Sequence, residues 1–234
     1  MLGVIYPPAC IACGAATGAP HTLCAQCWGA IRFIERPFCE RLGTPFAVDL
    51  GMPLLSPAAI ADPPVFARAR AVARYDEVAR GLVHRLKYGD RLELAQALGT
   101  MMARAGAELL ADADVIVPVP LHPARLWWRR FNQAMALSCV ISRRSGVPAS
   151  AFLLARVRRT QSQVGLTKHQ RADNLQGAFR VPDEARPRLK QKRVLLVDDV
   201  ITTGATANAA ARALLRGGAR AVDVLAFARV VMDG

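Results

Sequence analysis

The chain has 234 residues, 53% of them hydrophobic, and a formal charge of +13 from 31 Lys+Arg against 18 Asp+Glu. That length and apolar content suffice for one full core plus a small appendage and exclude a wholly disordered polypeptide. No apolar run reaches membrane-spanning length, so membrane insertion is not expected.

The start, Met1-Leu2-Gly3-Val4-Ile5-Tyr6-Pro7-Pro8, has neither a basic lead nor an apolar helix. A signal peptide is therefore not expected, and the cytoplasm is the expected location. Cys10-x2-Cys13 and Cys24-x2-Cys27 follow within a turn-rich stretch that also holds Gly14, Gly18 and Pro20. Paired knuckles at this distance suit one tetrahedral Zn2+ held by four thiolates, a structural ion replacing a core too small to form. Disulfides are the competing use of these cysteines, with no export signal to support them. Cys39 stands in what reads as a third knuckle whose second cysteine is Leu42, and His21 is a reserve ligand between the pairs. The expected divisions are a four-cysteine knuckle over 1–38, a Pro-rich linker over 39–65 and a main domain over 66–234.

In the main domain a strand is expected from Ala67 to Tyr75, then helices over 76–88 and 92–110. The first of these repeats Val78, Leu82, Val83 and Leu86 at helical spacing. Val115–Val119 reads as a buried strand ended by Pro118 and Pro120, followed by a helix over 132–145. Short strands are expected near 152–155 and 178–181. The polar segment 156–176 is too long for an ordinary connection and reads as a functional loop. Strand–helix alternation of this kind implies an α/β fold with a doubly wound parallel sheet.

The charge is localised. Sixteen of the basic residues and three of the acidic ones lie between Pro118 and Arg193, and the rest of the chain balances at fifteen of each. Such a field attracts polyanions, although an Arg-rich solvated surface gives the same count. Within it, Arg125, Trp127, Trp128, Arg129 and Arg130 interleave cations with aromatics, the composition of a single-stranded DNA platform. The same residues also fit tryptophans packed at the sheet's end beside diphosphate-binding arginines.

Residues 194–206, Val-Leu-Leu-Val-Asp-Asp-Val-Ile-Thr-Thr-Gly-Ala-Thr, carry the most chemistry. Four apolar residues form a buried strand that delivers Asp198 and Asp199 to the carboxyl edge of the sheet, where open α/β folds bind ligands. Thr202, Thr203 and Thr206 supply hydroxyls, and Gly204 admits a phosphate close to the backbone. Gly204 and Ala205 also open a helix whose N-terminus favours an anion. Acids beside a phosphate cradle suit a phosphorylated sugar with a vicinal diol.

This stretch resembles the 5-phosphoribosyl 1-diphosphate (PRPP) motif of type I phosphoribosyltransferases. The resemblance extends to the ComF family of competence-associated, phosphoribosyltransferase-like proteins. It rests on the CxxC knuckles, Leu86-Lys87-Tyr88, Val117-Pro118-Val119-Pro120-Leu121-His122, Arg129-x-Phe131-Asn132-Gln133 and Arg171-x-x-Asn174-x-x-Gly177-Ala178-Phe179. The chain departs from the family at Arg130, where glycine is usual, and at Leu42.

The resemblance implies that Asp198 and Asp199 hold the ribose hydroxyls while Thr202, Thr203, Gly204, Ala205 and Thr206 hold the 5-phosphate. It places a diphosphate-binding loop at Pro120, Leu121, His122 and Arg125, and closing cations at Lys168 and Arg171. Mg2+ is implied as a bridge between diphosphate and ribose. Thr202 stands where 6-oxopurine enzymes commonly carry their general base, so hypoxanthine or guanine is not the expected acceptor. Three functions follow from the resemblance: single-stranded DNA handling in DNA uptake beside other competence proteins, phosphoribosyl transfer to an unidentified acceptor, and PRPP sensing.

Overall fold

The computed structural model describes residues 8–49, 51–88, 92–122, 131–158 and 174–231. Its centre is a four-stranded sheet of β1 (Ala69–Arg74), β2 (Val115–Pro118), β5 (Arg193–Ile201) and β6 (Ala221–Arg229). The order is β1-β6-β5-β2 and every pairing is parallel. Two further strands, β3 (Ala155–Arg156) and β4 (Phe179–Arg180), form a separate antiparallel pair. The helices are α1 (Ala25–Gly29), α2 (Pro57–Ala61), α3 (Glu77–Tyr88), α4 (Leu92–Ala105), α5 (Ala107–Asp112), α6 (Gln133–Ser145), α7 (Arg186–Leu189) and α8 (Ala205–Arg216).

Both faces of the sheet are covered, which is why the central strands read as unbroken apolar runs. Leu195 and Val197 of β5 join Leu82 and Leu86 of α3, Leu98 of α4 and Leu137 of α6 in one core. Val194 and Leu196 point the other way, onto Ala207, Ala211 and Leu214 of α8 with Phe66 and Phe179. The fold is thus the expected doubly wound α/β arrangement. The helix expected over 92–110 is broken at Gly106, where an added Cβ would lie 2.7 Å from Leu225. The segment near 152–155 opens with a 3-10 turn at Ala151–Leu153, with Phe152 exposed, and the strand expected there starts only at Ala155, as β3.

Residues 39–65, expected as a linker, make ordered contacts with the sheet. Cys39 is fully buried and pairs with Leu54 in an isolated bridge. Asn208 of α8 accepts the Val65 N–H at 2.8 Å. Gly43 has φ +67°, and a Cβ there would lie 2.3 Å from the Ala69 carbonyl oxygen, so glycine alone permits this approach. The outer edge of β1 is filled by residues 32–41: Ile34 N–H donates to Val72, Arg74 N–H to Arg32 and Ala69 N–H to Arg41, each at 2.9 Å. On the opposite edge, Ile116 of β2 donates to Pro148 at 2.8 Å and accepts from Ser150 at 2.9 Å.

At the amino ends of the strands, Asp223 (1% exposed) receives Arg68 Nη2 and Arg193 Nε, both at 2.8 Å. Removing the shared acid leaves Arg193 without this carboxylate and Arg68 with Asp112 alone, at 2.7 Å. Asp223→Ala is expected to lower unfolding free energy by about 3 kcal/mol. Urea denaturation measures it, and a loss below ~1 kcal/mol would show that water replaces the carboxylate there.

Candidate ligand cleft and metal centre

The cleft arises because β5 outlasts β2. The shared register ends at Pro118↔Val197, and one further bond runs from Val119 N–H to Val197 O. Pro120 then has no N–H to continue the ladder. Asn132, the N-cap of α6, holds the end of β2 by donating to the Val119 carbonyl at 3.1 Å. Beyond Val197, among the described residues, β5 pairs with β6 alone, as Asp198↔Ala226, Val200↔Ala228 and Ile201↔Arg229. The Asp199 N–H has therefore lost its partner on the β2 side, and Asp198 Oδ1 accepts it at 2.8 Å.

The space left by β2 is a shallow open cleft lined by Val119, Asp198, Thr202, Gly204 and Thr206, with Leu196, Ala207 and Val224 among its apolar walls. Gly204 has φ +79°, and as the N-cap of α8 it places no side chain over the first turn. That leaves room for an anion to meet the positive end of the helix. Phe66 lies beneath, 3.9 Å from where a Gly204 Cβ would sit.

The two adjacent acids do not share this cleft. Successive side chains in a strand point to opposite faces. Asp198 lines the cleft, while Asp199 turns to the α3 face and meets Lys87 Nζ at 3.0 Å. Burial pushes the Asp198 carboxyl up to about 7, and repulsion from Asp199 adds to it; Lys87, the Asp199 N–H and Arg156 oppose the rise. Arg156 of β3 stacks 5.4 Å from the Phe179 ring centroid.

Thr202 and Thr203 are exposed at the rim, and Ala205 begins α8. Pro120, Leu121 and His122 continue from the end of β2, half-buried. Arg125, Trp127, Trp128, Arg129, Arg130, Lys168 and Arg171 lie outside the described residues. Lys87, Asn132, Gln133 and Arg156 are the site neighbours that motif spacing did not assign. Lys87, Asn132 and Gln133 sit in short family motifs, but only the packing of α3 and α6 gives them roles.

In the N-terminal module the sulfurs of Cys10, Cys13, Cys24 and Cys27 all lie within 4.8 Å of one another, Cys13 and Cys24 at 3.7 Å. Zn–S bonds of ≈ 2.3 Å place tetrahedral sulfurs about 3.8 Å apart, so the cluster fits zinc. All six cysteines are free thiols. Burial raises the Cys10 thiol, but N–H groups of Cys24, Cys13 and Ala12 outweigh it and bring it to about 6. Burial and the neighbouring thiols push Cys27 up to about 12. Four thiolates form together only around a cation. Cys39 retains the knuckle geometry, its sulfur accepting N–H groups of Leu42 at 3.4 Å and Ser56 at 3.2 Å. With Leu42 in the second place, that position offers one thiol.

Residues 1–57 match a model described as a double zinc ribbon domain, and residues 136–230 one described as a phosphoribosyl transferase domain. The chain is thus a protein of the phosphoribosyltransferase-domain class with a zinc-ribbon module ahead of it. It is 33% identical to the DNA utilization protein YhgH of Escherichia coli strain K12 over 95% of this chain and 90% of that protein. It is 30% identical to competence protein F of Haemophilus influenzae over 90% of this chain and 92% of that one. A third relative, competence protein ComFC of Bacillus subtilis, is 28% identical over 68% of this chain and 62% of its own length. The chain belongs to the ComF family.

Elemental analysis of the purified protein is expected to find one zinc per chain. Cys24→Ser should release it and Cys39→Ser should retain it. Two zinc ions in the parent, one lost on Cys39→Ser, would give the second ribbon position a metal.

Proposed function

We propose that this protein serves in DNA uptake, using a cleft that binds PRPP or a related phosphorylated sugar and a basic surface that handles incoming single-stranded DNA. The cleft carries the reading. One acid and a hydroxyl-rich, glycine-capped helix start line a single pocket at the carboxyl end of a parallel sheet. Asp198 would accept ribose hydroxyls, and Thr202, Thr203, Thr206 and the first amides of α8 would receive the 5-phosphate. Mg2+ would arrive with the diphosphate, consistent with an oxygen-rich ligand and a cleft that offers the ion few protein ligands of its own.

Names borne by the relatives, competence protein F and DNA utilization protein, support the cellular role. The charge of +13 concentrated between Pro118 and Arg193 supports a polyanionic partner. Residues 125–130 are proposed as its single-strand platform on their composition. No helix among the described residues is long and apolar enough to cross a membrane. The protein is proposed to act in the cytoplasm, where other competence proteins would be its partners.

Calorimetry with PRPP and Mg2+ tests the cleft. Asp198→Asn is expected to weaken binding at least ~10-fold, and absence of any heat with the parent protein would remove the reading. The ionised Asp198 carboxylate is the stronger acceptor for two hydroxyls, so affinity should fall, by up to about tenfold per pH unit, below about 7. Stability runs the other way. A folded carboxyl raised from 3.8 to about 7 holds its proton more tightly than the unfolded one. Its contribution is fullest in acid and is lost as pH rises to about 7, so Asp198→Asn should melt higher than the parent at pH 8. Pyrophosphate release would mark the protein as a transferase; binding without release would mark a sensor or adaptor. Fluorescence anisotropy with a labelled oligonucleotide tests the DNA arm. Affinity should fall steeply between ~50 and ~200 mM salt and be lost on Trp127→Ala with Arg129→Ala.

A further inference from the structure

We propose that Lys87 is a positioning residue for the cleft. Held by Asp199 behind the sheet, it offsets one of two adjacent acids so that Asp198 alone presents charge to an anionic sugar phosphate. The assignment deepens the ligand reading above and gives the acid pair two different tasks.

Three observations carry it. Asp198 is in the cleft lining and Asp199 is not, because neighbouring strand residues face opposite ways. Asp199, 11% exposed, lies 3.0 Å from the Lys87 ammonium, whose side chain is 25% exposed. The last turn of α3, which carries Lys87, is pinned on both sides. Arg85 Nη1 donates to the Ile11 carbonyl, between Cys10 and Cys13, at 3.1 Å. Gln133, 2% exposed at the start of α6, donates to the Lys87 carbonyl at 3.5 Å. A cation at a helix C-terminus is also favoured by the helix dipole.

The chemistry follows from charge. Two ionised aspartates side by side would present −2 to a ligand that is itself strongly anionic. Lys87 reduces the local total to −1 without entering the phosphate cradle. Burial alone would lower the lysine's pKa, yet the carboxylates of Asp199 and Asp198 outweigh it, so the ammonium acts on both acids. Among the described residues, the charged groups facing Asp198 are Asp199 on its own strand, Lys87 from α3 and Arg156 from β3. Tyr75 faces Lys87.

The test is a carboxyl 13C titration of Asp198 in the ligand-free, full-length protein, its resonance assigned by its loss in Asp198→Asn. Lys87→Met should raise the Asp198 midpoint by about one pH unit, and Asp199→Asn should lower it by a similar amount. The double variant should return close to the parent, and Lys87→Arg should match the parent. Calorimetry with PRPP and Mg2+ at pH 7 should follow the same order, with Lys87→Met several-fold weaker. Midpoints that move in the same direction in both single variants, or that do not move, overturn the proposal. Should Lys87→Met fail to fold, the downward shift in Asp199→Asn decides alone. The titration needs no ligand, so a parent protein that ignores PRPP would remove the ligand reading while leaving the charge assignment to its own result.

Discussion

The arrangement depends on one mismatch in strand length: β5 extends four residues past its last rung with β2, to Ile201. Parallel ladders satisfy backbone groups on both sides, so a strand that loses one neighbour must find other partners or open to solvent. Here it does both. Asp198 folds back onto the Asp199 amide, and the rest of the vacated side is the cleft. Pro120 and the Asn132 bond to Val119 explain why β2 stops where it does. The ladder with β6 explains why β5 does not.

The N-terminal module is tied to this frame by polar contacts and packing together. Arg70 of β1 is buried and pairs with both Glu40 and Glu108, while Arg36 reaches the same two acids. Both arginines lie over the Phe38 ring, Arg70 at 4.3 Å and Arg36 at 4.6 Å from its centroid. Ile11 and Ile31 complete the hydrophobic cluster of α3. Burying Arg70 is costly unless its charge is matched, and the two glutamates match it. The metal knuckle itself meets α3, whose last turn carries Lys87, through Ile11.

Much of this was legible in the sequence, for physical reasons that also mark its limits. The run Val194–Val197 declares a strand buried on both faces, and Thr-Thr-Gly declares a turn before a helix; both signals are local. The end of β5 was not legible. Asp198 and Asp199 have low strand propensity, and only the rungs with β6 extend the strand through them. Their divergence to opposite faces follows from that extension. In the same way, five prolines between Pro45 and Pro64 read as a linker. What orders the stretch is non-local: the bridge from Cys39 to Leu54, the Gly43 approach to Ala69 and the Asn208 bond to Val65. The cysteine spacing was informative because metal ligation makes a distant geometry out of a short, regular code.

The two flanking tracts beside the sheet have a consequence for assembly. Residues 32–41 occupy the free side of β1, and residues 148–150 occupy that of β2. Neither outermost strand offers a bare row of amides and carbonyls, so a second molecule cannot lengthen this sheet by adding a strand of its own. At these two borders, association with another protein has to use side chains, and its specificity there is set by surface chemistry rather than by backbone pairing.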